Sequence, residues 1–173
     1  EGFSLRVGGE AVSCRALVVA TGGKSIPKMG ASGFGYQLAA QFGLEVTETR
    51  PALVPLTFEA GLLERLKPLA GVAVDAKVSC GRQAFSEAML FTHRGVSGPA
   101  ILQISSYWRE GEAIAIDMAP GVDVFEALKA AKRANGRQSA AGALAERLPR
   151  RLAQAICETA GAGGRLADTP DRT

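Results

Sequence analysis

An unbroken apolar stretch, Leu17-Val18-Val19-Ala20, runs straight into Thr21-Gly22-Gly23 and then into a second glycine-rich run, Gly30-Ala31-Ser32-Gly33-Phe34-Gly35. A strand with no polar alternation suits a position buried on both faces, as in a parallel sheet. Small residues at its carboxyl end bring bare main-chain N–H groups to the sheet edge where α/β proteins bind nucleotide cofactors. Ser32 is placed to cap a helix over about residues 34–42, with Gly43 placed to stop it. Strand 16–20, glycine loop and helix therefore predict a βα unit. The helix N-terminus would offer N–H groups to a phosphate or an electron-rich ring. An ordinary strand-to-helix turn accounts for the same residues equally well. No Gly-x-Gly-x-x-Gly opens a βαβ unit, so a dinucleotide pyrophosphate has no evident seat.

The segments on either side carry a different period. Phe3, Leu5 and Val7 alternate with polar neighbours, Gly8-Gly9 supplies a turn and Val12 to Cys14 return, which predicts a hairpin. Pro51 and Pro55 permit only edge or extended structure and mark a boundary. Beyond it, Val72, Val74, Ala76, Val78 and Cys80 alternate with Ala73, Asp75, Lys77 and Ser79, and Gly81-Arg82 turns the chain into a second strand over about 84–91. A further alternating strand surrounds Ile116. Ser97-Gly98-Pro99 opens a short helix carrying Ile101, Leu102, Ser105 and Trp108, read as core. Residues 124–134 and 139–160 have helical spacing, the second stretch split at Pro149. The expected organisation is 1–50, 51–122, 123–160 and a flexible tail over 161–173.

Charge and cysteine usage narrow the function classes. The 173 residues carry a formal charge of +3, and the excess is local, with 9 Lys+Arg against 6 Asp+Glu in residues 123–173 but 11 against 11 before them. Arg147, Arg150 and Arg151 read as a solvated helix face, and nucleic acid is not the expected partner. Cys14, Cys80 and Cys157 are too far apart for a local metal spacing and odd in number, which predicts reduced, inert thiols and no metal. No apolar run approaches a bilayer span and no signal-peptide pattern opens the chain, so a cytoplasmic location is expected. A start without Met, in mid-strand, reads as an internal piece of a longer protein.

A second motif, Phe91-Thr92-His93-Arg94-Gly95-Val96-Ser97-Gly98-Pro99, holds the sole histidine beside an arginine, on what reads as a Gly-rich loop between strand and helix. His93 would move a proton and Arg94 would hold a carboxylate or polarise a carbonyl, a pairing that complements hydride transfer. Ser97 and N–H groups at the helix start would add an anion site. Both side chains could equally serve to hydrogen-bond the loop.

Three runs together carry a resemblance: residues 18–36, residues 50–57 and Leu90-Phe91-Thr92-His93-Arg94-Gly95-Val96-Ser97-Gly98-Pro99-Ala100 with its continuation to Trp108. In this order they resemble the BaiN-like (YhiN-like) bacterial NAD(P)/FAD-dependent flavoprotein oxidoreductases. The resemblance implies an α+β and α/β architecture: the C-terminal piece of a Rossmann-like FAD-binding half, then an inserted antiparallel β-barrel-like domain and a helical segment. It implies FAD lined by Ala20, Thr21, Gly22 and Gly23, with Gly33 and Gly35 beside it unless their loop faces the insertion. It implies NAD(P)H as reductant and a small organic substrate such as an enone. The N- and C-terminal FAD-domain segments of that family are missing from this sequence, so the piece alone should hold FAD poorly. The competing reading is a non-enzymatic α+β binding module whose basic helical face takes an acidic partner or nucleic acid.

Overall fold

The computed structural model describes residues 2–170. The chain divides into two compact units at residues 50 and 51. In the first, strands β1 (Phe3–Val7) and β2 (Glu10–Cys14) form an antiparallel hairpin with Phe3 opposite Cys14. Gly8 and Gly9 take φ of 58° and 95°, the left-handed pair that a two-residue hairpin turn requires. A 3-10 turn at Pro27–Met29 precedes helix α1 (Phe34–Gln41). Gly43 ends α1 at φ 71°, with Leu44 N–H on the Ala39 carbonyl and Gly43 N–H on the Ala40 carbonyl. The Phe3 and Phe42 rings meet edge-on at 5.9 Å.

The strand expected over residues 16–20 is not formed. That segment has no ladder partner among the described residues, and Val18 is 86% exposed. A two-faced apolar strand needs neighbours on both edges, and β1 and β2 pair only with each other.

The second unit is built on a five-stranded antiparallel sheet in the order β3-β6-β5-β4-β7, comprising β3 (Leu56–Thr57), β4 (Ala73–Cys80), β5 (Gln83–Thr92), β6 (Gly95–Ser97) and β7 (Ala115–Asp117). The period-2 pattern of β4 is realised: Val74, Ala76, Val78 and Cys80 are buried while Ala73, Asp75 and Lys77 are exposed. Helix α3 (Pro99–Ser105) packs on this face through Ala100, Ile101 and Ile104, each fully buried with Met89 and Val78. Helices α4 (Val124–Ala134), α5 (Ala140–Leu144) and α6 (Arg150–Thr159) extend the same core through Leu144, Leu152 and Ala153, and Pro149 separates the last two. The architecture is thus α+β, an antiparallel sheet with helices.

Three features depart from the periodicity. Helix α2 (Ala60–Leu66) starts on Glu59, whose carboxylate accepts from Leu62 N–H at 3.3 Å. The expected loop between Thr92 and Gly98 instead contains β6. The expected flexible tail is held over residues 161–170: Leu166 is buried, Leu166 N–H donates to Gln138 O (2.9 Å), Ala167 N–H to Gly136 O (2.9 Å) and Ala140 N–H to Gly164 O (3.2 Å). One apolar anchor and three main-chain bonds outweigh a glycine-rich composition; residues 171–173 lie outside the described residues.

Candidate functional site

The first candidate is the loop from Ala20 to Gly23 with the start of α1. Gly22 takes φ 67°, and a side chain there would meet nothing within 4 Å. Its three companion glycines are enclosed: a Cβ on Gly35 would lie 2.8 Å from Thr21 Oγ1, on Gly23 3.1 Å from Tyr36 Oη, and on Gly33 3.2 Å from Lys24 Cε. Gly23, Gly33 and Gly35 therefore let loop and helix approach each other, and Gly22 leaves main chain open to space. Ser32 Oγ accepts from Phe34 N–H at 3.4 Å, a weak cap, and Lys24 Nζ lies 5.4 Å over the Tyr36 ring. Ala20, Thr21 and Gly22 are all exposed. Open main chain beside one hydroxyl, without a charged cluster, fits the face of a flat, largely apolar ring system such as that of FAD.

The second candidate is a β-turn. His93 and Arg94 are the two residues joining β5 to β6. This corrects the expectation of a loop between strand and helix. Thr92 Oγ1 accepts from Arg94 N–H (3.2 Å) and Gly95 N–H (3.1 Å), and Arg94 O accepts from Phe58 N–H (3.0 Å). The turn is thus held by Thr92 and main chain. The side chains of His93 and Arg94 are exposed and make no hydrogen bond or ion pair among the described residues. Gly95 and Gly98 do packing work: a Cβ on Gly95 would lie 2.8 Å from Thr57 Cα, and on Gly98 2.7 Å from Ala88 O. Ser97 pairs opposite Leu90 in the sheet.

Two further features go beyond the sequence reading, which placed Ser105 in the core of its helix without its bonds. Ser105, 4% exposed, accepts from Val54 N–H (3.0 Å) and donates to Leu102 O (2.8 Å), which pins the segment between the two prolines to α3. A groove of about 540 Å³ has apolar walls at Val74, Met118, Val122 and Pro149 and polar groups at Asp75, Glu146 and Arg147. Its residues lie far apart in the chain, so no local motif announces it.

The cysteines are free. Burial first, then the charge of Glu112 and a contact from the thiol to its carboxylate (3.7 Å), push the Cys80 thiol up; burial pushes Cys157 up. Among the described residues no His/Cys/Asp/Glu cluster could hold a metal, and no helix is long and apolar enough to cross a membrane.

Against known proteins, the family described as "HI0933-like protein barrel and H2TH domain" matches residues 50–169. The chain is 49% identical over 156 residues to the ribosomal RNA dihydrouridine synthase of Escherichia coli, covering 90% of this chain and 39% of that protein. It is 40% identical over 154 residues to the Haemophilus influenzae protein of the same name, covering 88% and 38%. It is 32% identical over 137 residues to the 3-dehydro-bile acid delta(4,6)-reductase of Clostridium scindens, covering 76% and 33%. The chain spans about two-fifths of the length of the first two relatives.

Proposed function

The chain belongs to the HI0933-like family, related to flavoprotein oxidoreductases, and from that premise we propose that it is the barrel and helical part of a cytoplasmic, FAD-dependent reductase whose substrate is uridine in ribosomal RNA. The observation that carries this reading is the 49% identity over 90% of the chain to a relative so named. Chemistry supports it too. The names of the relatives describe reduction of a carbon–carbon double bond conjugated to a carbonyl: C5=C6 beside C4=O in uracil, and a dienone in the bile acid. Such a reduction adds a hydride at the β-carbon and a proton at the α-carbon. FAD, reduced by NAD(P)H as the resemblance implies, would supply the two electrons.

The remaining roles belong to this chain. The open main chain at Gly22, with Ala20, Thr21 and Gly23, would lie against the flavin ring, and Gly33 and Gly35 would hold α1 close behind that loop. On the second unit, Arg94 would hold a carboxylate or polarise a carbonyl and His93 would move a proton. Both side chains are exposed and without partners among the described residues, as such roles require. Missing segments of the longer protein would complete the cofactor site and pair with residues 16–20. This reading departs from the expectation that set nucleic acid aside.

The test is nucleoside analysis of ribosomal RNA from the source cells after deletion of the gene. Dihydrouridine should vanish and return with the wild-type gene. Unchanged dihydrouridine would contradict the reading, and NAD(P)H-driven reduction of a 3-dehydro-bile acid by the purified protein would then favour the enone substrate.

A further inference from the structure

The helical region carries more positive charge than its structure uses. Between residues 123 and 170, Lys129 pairs with Glu126 (2.9 Å) and Arg165 with Asp168 (3.0 Å), while Arg151 is turned onto the main-chain carbonyls of Pro68 and Ala70. Arg133, Arg137, Arg147 and Arg150 are exposed and make no ion pair or hydrogen bond among the described residues. Among the described residues no carboxylate pairs with them; the nearby ones accept from neutral donors: Asp123 from Glu126 N–H (3.0 Å), Glu146 from Gln138 (3.1 Å) and Glu158 from Gln154 (2.9 Å).

Position adds to charge. The bond from Gln138 to Glu146 sets the turn bearing Arg137 beside the loop bearing Arg147, and Arg150 follows Pro149 in the first turn of α6. Arg147 and Pro149 both line the 540 Å³ groove, whose apolar walls and two carboxylate acceptors lie at the end of this basic run. A volume of that size falls in the range of sites that take a small molecule or a single nucleotide. Guanidinium groups without intramolecular partners suit phosphates, and RNA is read mostly where its bases are unpaired and can be splayed into a pocket.

We propose that Arg137, Arg147 and Arg150 form a track for the phosphates of single-stranded RNA and that the Arg147-lined groove receives one unpaired nucleotide from that strand. The choice of RNA over another polyanion rests on the reading of the reaction given above. Apolar walls take the base, and Asp75 and Glu146 accept from its N–H groups or from the ribose hydroxyls.

The experiment uses the full-length holoprotein and a short single-stranded ribosomal RNA segment, with binding measured across a salt series. R147Q/R150Q should bind on the order of tenfold more weakly than wild type. Its salt dependence should be shallower by about 1.4 in the log–log slope, since each lost single-strand phosphate contact removes about 0.7. R65Q/R82Q, which removes the same charge from two exposed arginines outside the track and the groove, should stay within about twofold of wild type. Wild-type affinity in R147Q/R150Q, or an equal loss in both double variants, would overturn the proposal. So would unchanged RNA binding with loss of binding to polyglutamate, which would assign the face to an acidic protein. A wild-type protein that binds RNA through these arginines yet forms no dihydrouridine would support the track and overturn the reaction.

Discussion

The glycine loop around Gly22 in residues 1–50 and the one around Gly95 and Gly98 in residues 51–173 use their glycines in opposite ways. In the second unit Gly95 and Gly98 are hemmed in by neighbouring strands, so their missing side chains let β3, β5 and β6 close on one another. In the first, Gly22 and Gly30 face open space. Burial follows the same division. None of the described residues in 2–50 is buried, whereas every buried residue, from Leu69 to Leu166, belongs to the second unit. A glycine loop shut by packing accounts for itself, while one that stays open beside exposed Val18 and Val19 invites a ligand or another stretch of protein. That contrast supports the proposal that a cofactor lies at Gly22, and it gives Gly95 and Gly98 a structural duty.

The contrast can be broken most forcefully in the core. Met89→Ala, at a site with no exposure, should cost about 4 kcal/mol in chemical denaturation; a loss below about 1 kcal/mol would mean that the sheet and α3 are not one packed core. Gly95→Ala should cost about 3 kcal/mol, because its Cβ would press on Leu56 and Thr57 main chain. Gly22→Ala, with space around it, should cost only about 1 kcal/mol for its left-handed backbone. Equal costs at the two glycines would erase the distinction. Ser105→Ala should cost about 1–2 kcal/mol by leaving Val54 N–H without its acceptor, and amide exchange at Val54 should rise.

Titration sharpens the comparison further. Cys80 and Cys157 are raised above their ordinary value of 9.0 in the folded chain, so the folded state keeps its thiol protons longer than the unfolded one. Their contribution to stability is complete below about pH 9 and is lost as pH climbs from there toward the folded values. Urea midpoints should therefore fall above about pH 9, and less steeply in a Cys80→Ala/Cys157→Ala variant; identical pH dependence would remove the thiols from the account. The smallest effect belongs to the first unit, where Val18→Ser in this chain should change stability by less than about 0.5 kcal/mol.

Local patterns were legible from sequence where each element makes its own bonds. The β1–β2 hairpin, the alternation of β4, the Pro99 helix start and the break at Pro149 all depend on neighbours a few residues away. Residues 16–20 form no strand here because a buried strand is defined by partners, and an apolar run does not say whether they are present. The contacts of residues 161–170 were illegible for the converse reason: Leu166 finds its place against residues distant in sequence. The Thr-His-Arg-Gly motif stood out, yet only coordinates separate its parts, with Thr92 and Gly95 building the turn and His93 and Arg94 left facing outward. Ser105 was legible as core from its helical spacing, but its bond to Val54 and the Arg147 groove join residues distant in sequence and had no local signature.

The central claim, that open main chain at Gly22 lies against a flavin, is tested most directly by the visible absorbance spectrum of the full-length protein and its Gly22→Val variant. Wild type should purify yellow with flavin bands, and a folded Gly22→Val protein should be colourless because its side chain enters the cofactor's space. Stoichiometric flavin retained by that variant, or none in the wild type, would contradict the account.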